Sequence, residues 1–222
     1  MMMLSTLIWK EIKQGIRSKD IIISMLIFSL SMILSFQFIF SVSSYSNTNL
    51  IVGLIWLVYI FSSILGLYKI MSYESEMDGF VILLTSPVER GLIYISKVIA
   101  FSLFLLLIEL ISFPIFVLFY NINTSNIDFI SLIIIFLNNW ALSSAGIIIS
   151  SVAYQTRASE IVIPIIFFPV VSPILISSSK ISISIVDGLK FNEYSFWVLI
   201  SLTFCLIFTA FGYLVFEYIC EE

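Results

Sequence analysis

The sequence predicts an all-α integral membrane domain with six spanning helices, on three observations. Of its 222 residues 60% are hydrophobic and only 11% charged, with a mean hydropathy of +1.15. Soluble domains carry about 25% charged residues, and a water-soluble fold of this size has nowhere to hide so much apolar surface. The apolar residues also gather into six runs, each near the roughly 20 residues that cross a hydrocarbon core. Finally, the runs do not alternate as barrel strands do. Helix is then the form in which each run satisfies its own backbone in lipid.

The elements follow in order. Residues 1–20 contain LSTLIWKEIKQGIRSK, which reads as an amphipathic helix. At 100° per residue Leu4, Ile8, Trp9, Ile12 and Ile16 share an arc of about 140°. Lys10, Lys13 and Arg17 fall on the opposite side. A basic face against an apolar face carrying Trp suits an elbow helix lying in the membrane interface; it equally suits a plain flank with inside-positive charge. The spans are expected near 21–42, 50–71, 93–119, 129–153, 161–179 and 196–218. The first span follows a charged lead and is about 22 residues long, so it reads as a membrane helix and not as a cleaved signal. Span five holds Pro164, Pro169 and Pro173, which are expected to kink or break it.

Basic residues set the orientation. With the N-terminus inside, Lys10, Lys13, Arg17, Lys19, Lys69, Arg90, Lys97 and Arg157 are cytoplasmic, and only Lys180 and Lys190 lie outside. Both termini are therefore expected in the cytoplasm of a cell with an energised inner membrane. The outer connections are short: 43–49, 121–128 and a longer one near 180–195.

Between spans two and three lies SYESEMDGFVILLTSPVERG, residues 72–91. On a helix, Tyr73, Met77, Phe80, Val81 and Leu84 form one stripe. Ser72 can cap the start, Glu74 and Glu76 suit the positive end of the dipole, and Pro87 stops the helix. Gly79, Ile82 and Leu83 form another face, rimmed by Glu76 and Asp78. Apolar surface left over after packing on the spans fits a protein partner. A short interfacial loop helix is the other reading.

Inside the spans, Glu109 in span three and Asn138 and Asn139 in span four are the polar residues to explain. A carboxyl near mid-bilayer faces a cavity or a partner; a helix–helix hydrogen bond is the plainer account. Asn138 and Asn139 open NNWALSSAG, whose small residues allow close helix approach. The chain has no histidine and two cysteines, Cys205 and Cys220, at no metal-ligand spacing. That removes the commonest haem ligand, metal ligand and general base. No phosphate-binding glycine loop is present, and no room remains for a nucleotide-binding domain. Energy for transport must come from another subunit or an ion gradient.

The elbow helix, six spans and helical loop after span two resemble an ABC-2-type, type V exporter-like permease half. The stretch 53–100 is more specific and resembles the CcmB family of cytochrome c maturation permeases. The matching residues are Gly53, Leu54, Ile55 and Trp56 opening span two, then Ser62, Ser63 and Leu65, then Asp78 and Gly79. Leu83, Leu84, Ser86 and Pro87 follow, and Lys97 opens span three. WKEIKQGIRSKD is similar to the family's entry helix. The resemblance is clear over roughly residues 5 to 120 and weak beyond. One departure is visible: the family often has basic residues just after span two, whereas here only Lys69 precedes the acidic cluster.

The resemblance implies a non-catalytic permease subunit that pairs with a CcmA-like ATPase and a CcmC-like haem-handling membrane protein, as a homodimer in lipid. ATP and Mg would sit on the ATPase, haem would be handled by the complex, and this chain itself would bind no cofactor and no nucleic acid. Glu76, Asp78, Gly79, Ile82, Leu83 and Pro87 would meet the ATPase; Tyr73, Met77, Phe80, Val81 and Leu84 would pack the coupling helix on the spans. A generic ABC-2 permease for lipid, polysaccharide or drug, an ion-coupled carrier centred on Glu109, and a passive assembly scaffold are the alternatives.

Overall fold

The computed structural model describes residues 2–42, 48–76, 88–122, 124–154, 156 and 159–219. Among the described residues seven helices follow one another: α1 (Met2–Ser18), α2 (Asp20–Val42), α3 (Thr48–Glu76), α4 (Arg90–Tyr120), α5 (Phe129–Tyr154), α6 (Ser159–Val186) and α7 (Phe191–Ile219). The last six are long and apolar enough to cross a membrane. The chain is an all-α membrane protein.

α5 stands at the centre, against α3, α4, α6 and α7. Its sequence explains this place. Ala141, Ser143, Ser144, Ala145, Ser150 and Ser151 are all fully buried, and a Cβ on Gly146 would press into Leu67 of α3 and Phe167 of α6. Small side chains bring helices close where no hydrophobic force drives them together. The hydroxyls are satisfied at home: Ser143 donates to Asn139 O at 2.7 Å and Ser151 to Ile147 O at 2.8 Å. By contrast α2 and α7 turn large apolar residues outward, among them Ile27, Phe38, Leu199, Leu206 and Leu214, as lipid-facing helices do.

α6 differs from the sequence expectation. Pro164, Pro169 and Pro173 lie inside one unbroken helix. Pro169 and Pro173 are exposed on its outer side, away from the packed residues Phe167, Val171 and Ile174. Pro173 cannot donate to Pro169 O, and Ser172 Oγ does so instead at 2.8 Å, so a carbonyl that lipid would leave bare keeps a donor. The helix also runs on to Val186, and α7 starts at Phe191. The connection expected over 180–195 shrinks to Asp187–Lys190, turned by Gly188 at φ +71°. Polar Ser177, Ser182 and Ser184 broke the apolar run without breaking the helix, because each hydroxyl has a partner.

α1 divides into three faces rather than two. Glu11 and Gly15 are buried against the bundle, Trp9 and Ile16 point outward, and Lys13 and Arg17 are exposed on the remaining side. Gly15 lets the helix sit on α4, since a Cβ there would fall inside the ring of Phe104. Gly15→Leu is therefore expected to unseat α1 at a cost of about 1–3 kcal/mol. The check is limited proteolysis: cleavage within α1 should quicken while cleavage elsewhere stays as in the parent.

Candidate functional site

The charged residues at the α1 end of the bundle do not behave as a solvated rim. Lys97, seven residues into α4, is 2% exposed, and Glu74 near the end of α3 is 1% exposed. Lys97 Nζ forms an ion pair with Glu74 and a second with Glu11 of α1 at 3.2 Å. Lys10 adds contacts to Glu11 at 2.9 Å and to Glu74 at 3.8 Å. Lys97, Glu74 and Glu11 thus form a buried cluster joining α1, α3 and α4, and Lys10, part-exposed at its edge, balances its charge. Burial pushes the Glu11 carboxyl up, but the charges of Lys97 and Lys10 outweigh it and hold the group below the ordinary carboxylate range.

This overturns the local reading of Ser72–Glu76. These residues do not start a new helix with Ser72 as its cap; they continue α3. Glu74 therefore sits towards the negative end of a helix dipole, where an acidic residue is unfavourable by a fraction of a kcal/mol. For Glu74, pairing with Lys97 outweighs that penalty. Tyr73 is half-buried on the same turn. Lys10 belongs partly to the cluster and not only to the basic face; Lys13 and Arg17 are exposed. Lys97 already lay inside the apolar run of span three, so its need for a buried counter-ion was readable, but its partners were not.

On the far side of the loop, the start of α4 is anchored too. Tyr213 of α7 bonds the Glu89 carboxylate, Arg90 Nη1 donates to Glu217 O at 3.1 Å, and Gly91 admits the Tyr213 ring. Met77, Asp78, Gly79, Phe80, Val81, Ile82, Leu83, Leu84 and Pro87 lie outside the described residues. Their two stems are each fixed to other helices, one to α1 and α4, the other to α7.

At mid-bundle, Glu109 of α4 is 7% exposed and accepts a hydrogen bond from Asn139 Nδ2 of α5 at 2.7 Å. That is the helix–helix bond, and Glu109 also lines a cavity of about 220 Å³ with Asn138. The cavity occupies the half of the bundle remote from α1, between α3, α4, α5 and α6. Trp56 Nε1 donates across it to Ser182 Oγ at 2.8 Å, and Ser112 Oγ donates to Tyr59 Oη at 3.3 Å. Among the described residues no group of three or more His, Cys, Asp or Glu could hold a metal ion.

No curated protein matches the chain. The family model described as CcmB protein matches residues 2–213. The match runs from α1 far into α7, well past the point near residue 120 where the resemblance of the sequence faded. It therefore takes in the buried cluster, the loop stems and the cavity together. With six spanning helices and a match over nearly its whole length, the chain belongs to the CcmB family, the multi-pass permeases of cytochrome c maturation.

Proposed function

We propose that this chain couples ATP hydrolysis on a separate CcmA-like ATPase to haem export, or to release of a haem-loaded chaperone, during cytochrome c maturation. In this reading α1 and both termini face the cytoplasm, two copies work together beside a CcmC-like protein, and ATP and Mg stay on the ATPase. The chain moves without ligating haem itself, having no histidine to do so.

One observation supports the coupling role above the others. The segment between Glu76 and Val88 has both stems tied into the bundle, through Glu74–Lys97–Glu11 on one side and Glu89–Tyr213 on the other. A push on that segment must reach α1, α3, α4 and α7, which is what a lever requires of its mounting.

Co-purification with the ATPase tests this. Ile82→Asp and Gly79→Trp should leave membrane insertion intact and lower ATPase recovery about tenfold or more, the order expected when a buried Ile contact worth about 1.5–3 kcal/mol is lost. Phe80→Asp, on the stripe assigned to the spans, should instead reduce the amount of folded permease. Normal ATPase recovery and full cytochrome c assembly with the first two variants would reduce the segment to a surface loop.

A further inference from the structure

The cavity beside Glu109 has polar groups that the protein itself does not use. Asn138 is 1% exposed and lines it, yet among the described residues both Nδ2 and Oδ1 lack a hydrogen-bond partner; so does Glu109 Oε1. The other polar side chains of its walls are paired within the chain, Trp56 with Ser182, Tyr59 with Ser112 and Ser131 with the Asp128 amide. Swapping the two ends of the Asn138 amide changes nothing, since both are unpartnered. A buried amide with neither donor nor acceptor matched is rare in native proteins, because its desolvation goes uncompensated. The rest of the lining is almost wholly aliphatic and aromatic.

We propose that this cavity is a binding site for a single-chain aliphatic carboxylic acid in its protonated form, with the acid group on Asn138 and the chain along the apolar walls. An amide offers one donor and one acceptor side by side in a plane, and the neutral carboxyl group offers the complementary pair. A carboxylate would lack the donor and would carry its charge into an apolar site next to Glu109. Access favours a molecule already in the bilayer. Leu110 of α4 and Leu132 of α5 line the cavity and are 78% and 56% exposed, so it reaches the outside of the bundle between two lipid-facing helix surfaces. Size favours one chain over a ring system: about 220 Å³ equals roughly seven water-sized groups at ~30 Å³ each, room for the acid group and the first methylenes, with the rest of a longer chain running out past Leu110 and Leu132 into the bilayer. The site stands apart from the ATPase-coupling segment and does not depend on that reading.

The test uses the full chain in phospholipid nanodiscs and a 16-carbon fatty acid carrying a diazirine, with its methyl ester as the matched probe lacking the acid proton. After irradiation, mass spectrometry should place the acid on peptides of α3–α6 that line the cavity, with the ester, which keeps the carbonyl acceptor but has no O–H to donate, labelling there about tenfold less, the loss expected for one hydrogen bond and the buried acceptor it leaves unmatched. Asn138→Leu, close in shape and unable to hydrogen-bond, should lower acid labelling to the level of the ester or below it. Where Asn138→Leu fails to elute as a single folded species, the acid-to-ester ratio on the parent chain decides. Equal labelling by acid and ester, undiminished labelling of a folded Asn138→Leu, or displacement of the probe by protoporphyrin IX at concentrations where palmitic acid does not compete would each overturn the assignment.

Discussion

Lys97→Met is expected to lose about 3–5 kcal/mol of stability and to leave little folded protein after detergent extraction. Methionine fills nearly the volume of the lysine stem, so the effect is one of charge. Glu74 and Glu11 would stay buried with only Lys10 nearby, 3.8 Å from one and 2.9 Å from the other. Glu74 Oε2 already has no hydrogen-bond partner among the described residues, so its other oxygen relies on Lys97. Removing one partner of a buried ion pair costs far more than the pair contributes net, because the remaining charge stays desolvated. Lys97→Met/Glu74→Gln removes that charge and should recover most of the loss. The measurement is the temperature at which half of the protein leaves the monodisperse peak on size exclusion. A Lys97→Met midpoint equal to the parent's would mean that the cluster is open to water.

Gly212→Ala is the second large effect expected, and it runs against helix propensity. In an ordinary helix the change gains up to about 1 kcal/mol. Here a Cβ on Gly212 of α7 would fall on the phenol of Tyr94. Tyr94 is fully buried, and its hydroxyl lies 3.0 Å from the carbonyls of both Ser144 in α5 and Phe208 in α7. Displacing the ring adds overpacking of about 1–3 kcal/mol to a lost hydrogen bond of about 0.5–1.5 kcal/mol. The net is a destabilisation of about 1–3 kcal/mol. Tyr94→Leu/Gly212→Ala should cost less than the two single changes together, since the clash and the ring are one interaction. A thermal midpoint raised by Gly212→Ala alone would show that propensity governs and the contact does not.

Much of the candidate site was visible in the chain before any helix was placed. Glu109, Asn138 and Asn139 stood out as polar residues in apolar runs, and they do meet at one level of α4 and α5. What spacing could not say is that Asn139 takes Glu109 while its neighbour Asn138 is left facing a cavity. That depends on a 100° step along one helix measured against the position of another. Lys97 and Glu74 were harder still. Lys97 was expected at the cytoplasmic opening of span three and Glu74 in the first turn of a separate loop helix, and the pairing spans 23 positions of sequence across the loop.

The helical class, the number of spans and the amphipathic entry helix were determined by the sequence alone. The reason is that each depends on local quantities. A run of about 20 apolar residues must close its own backbone hydrogen bonds in lipid, whatever surrounds it. Tertiary structure alone decided that residues 72–76 continue α3, why three prolines leave α6 whole, and which charges are buried. Those outcomes depend on partners supplied by other helices or by a single well-placed hydroxyl. A lysine next to water and a lysine between two glutamates look identical in one dimension, because the energy that separates them is set by non-local neighbours.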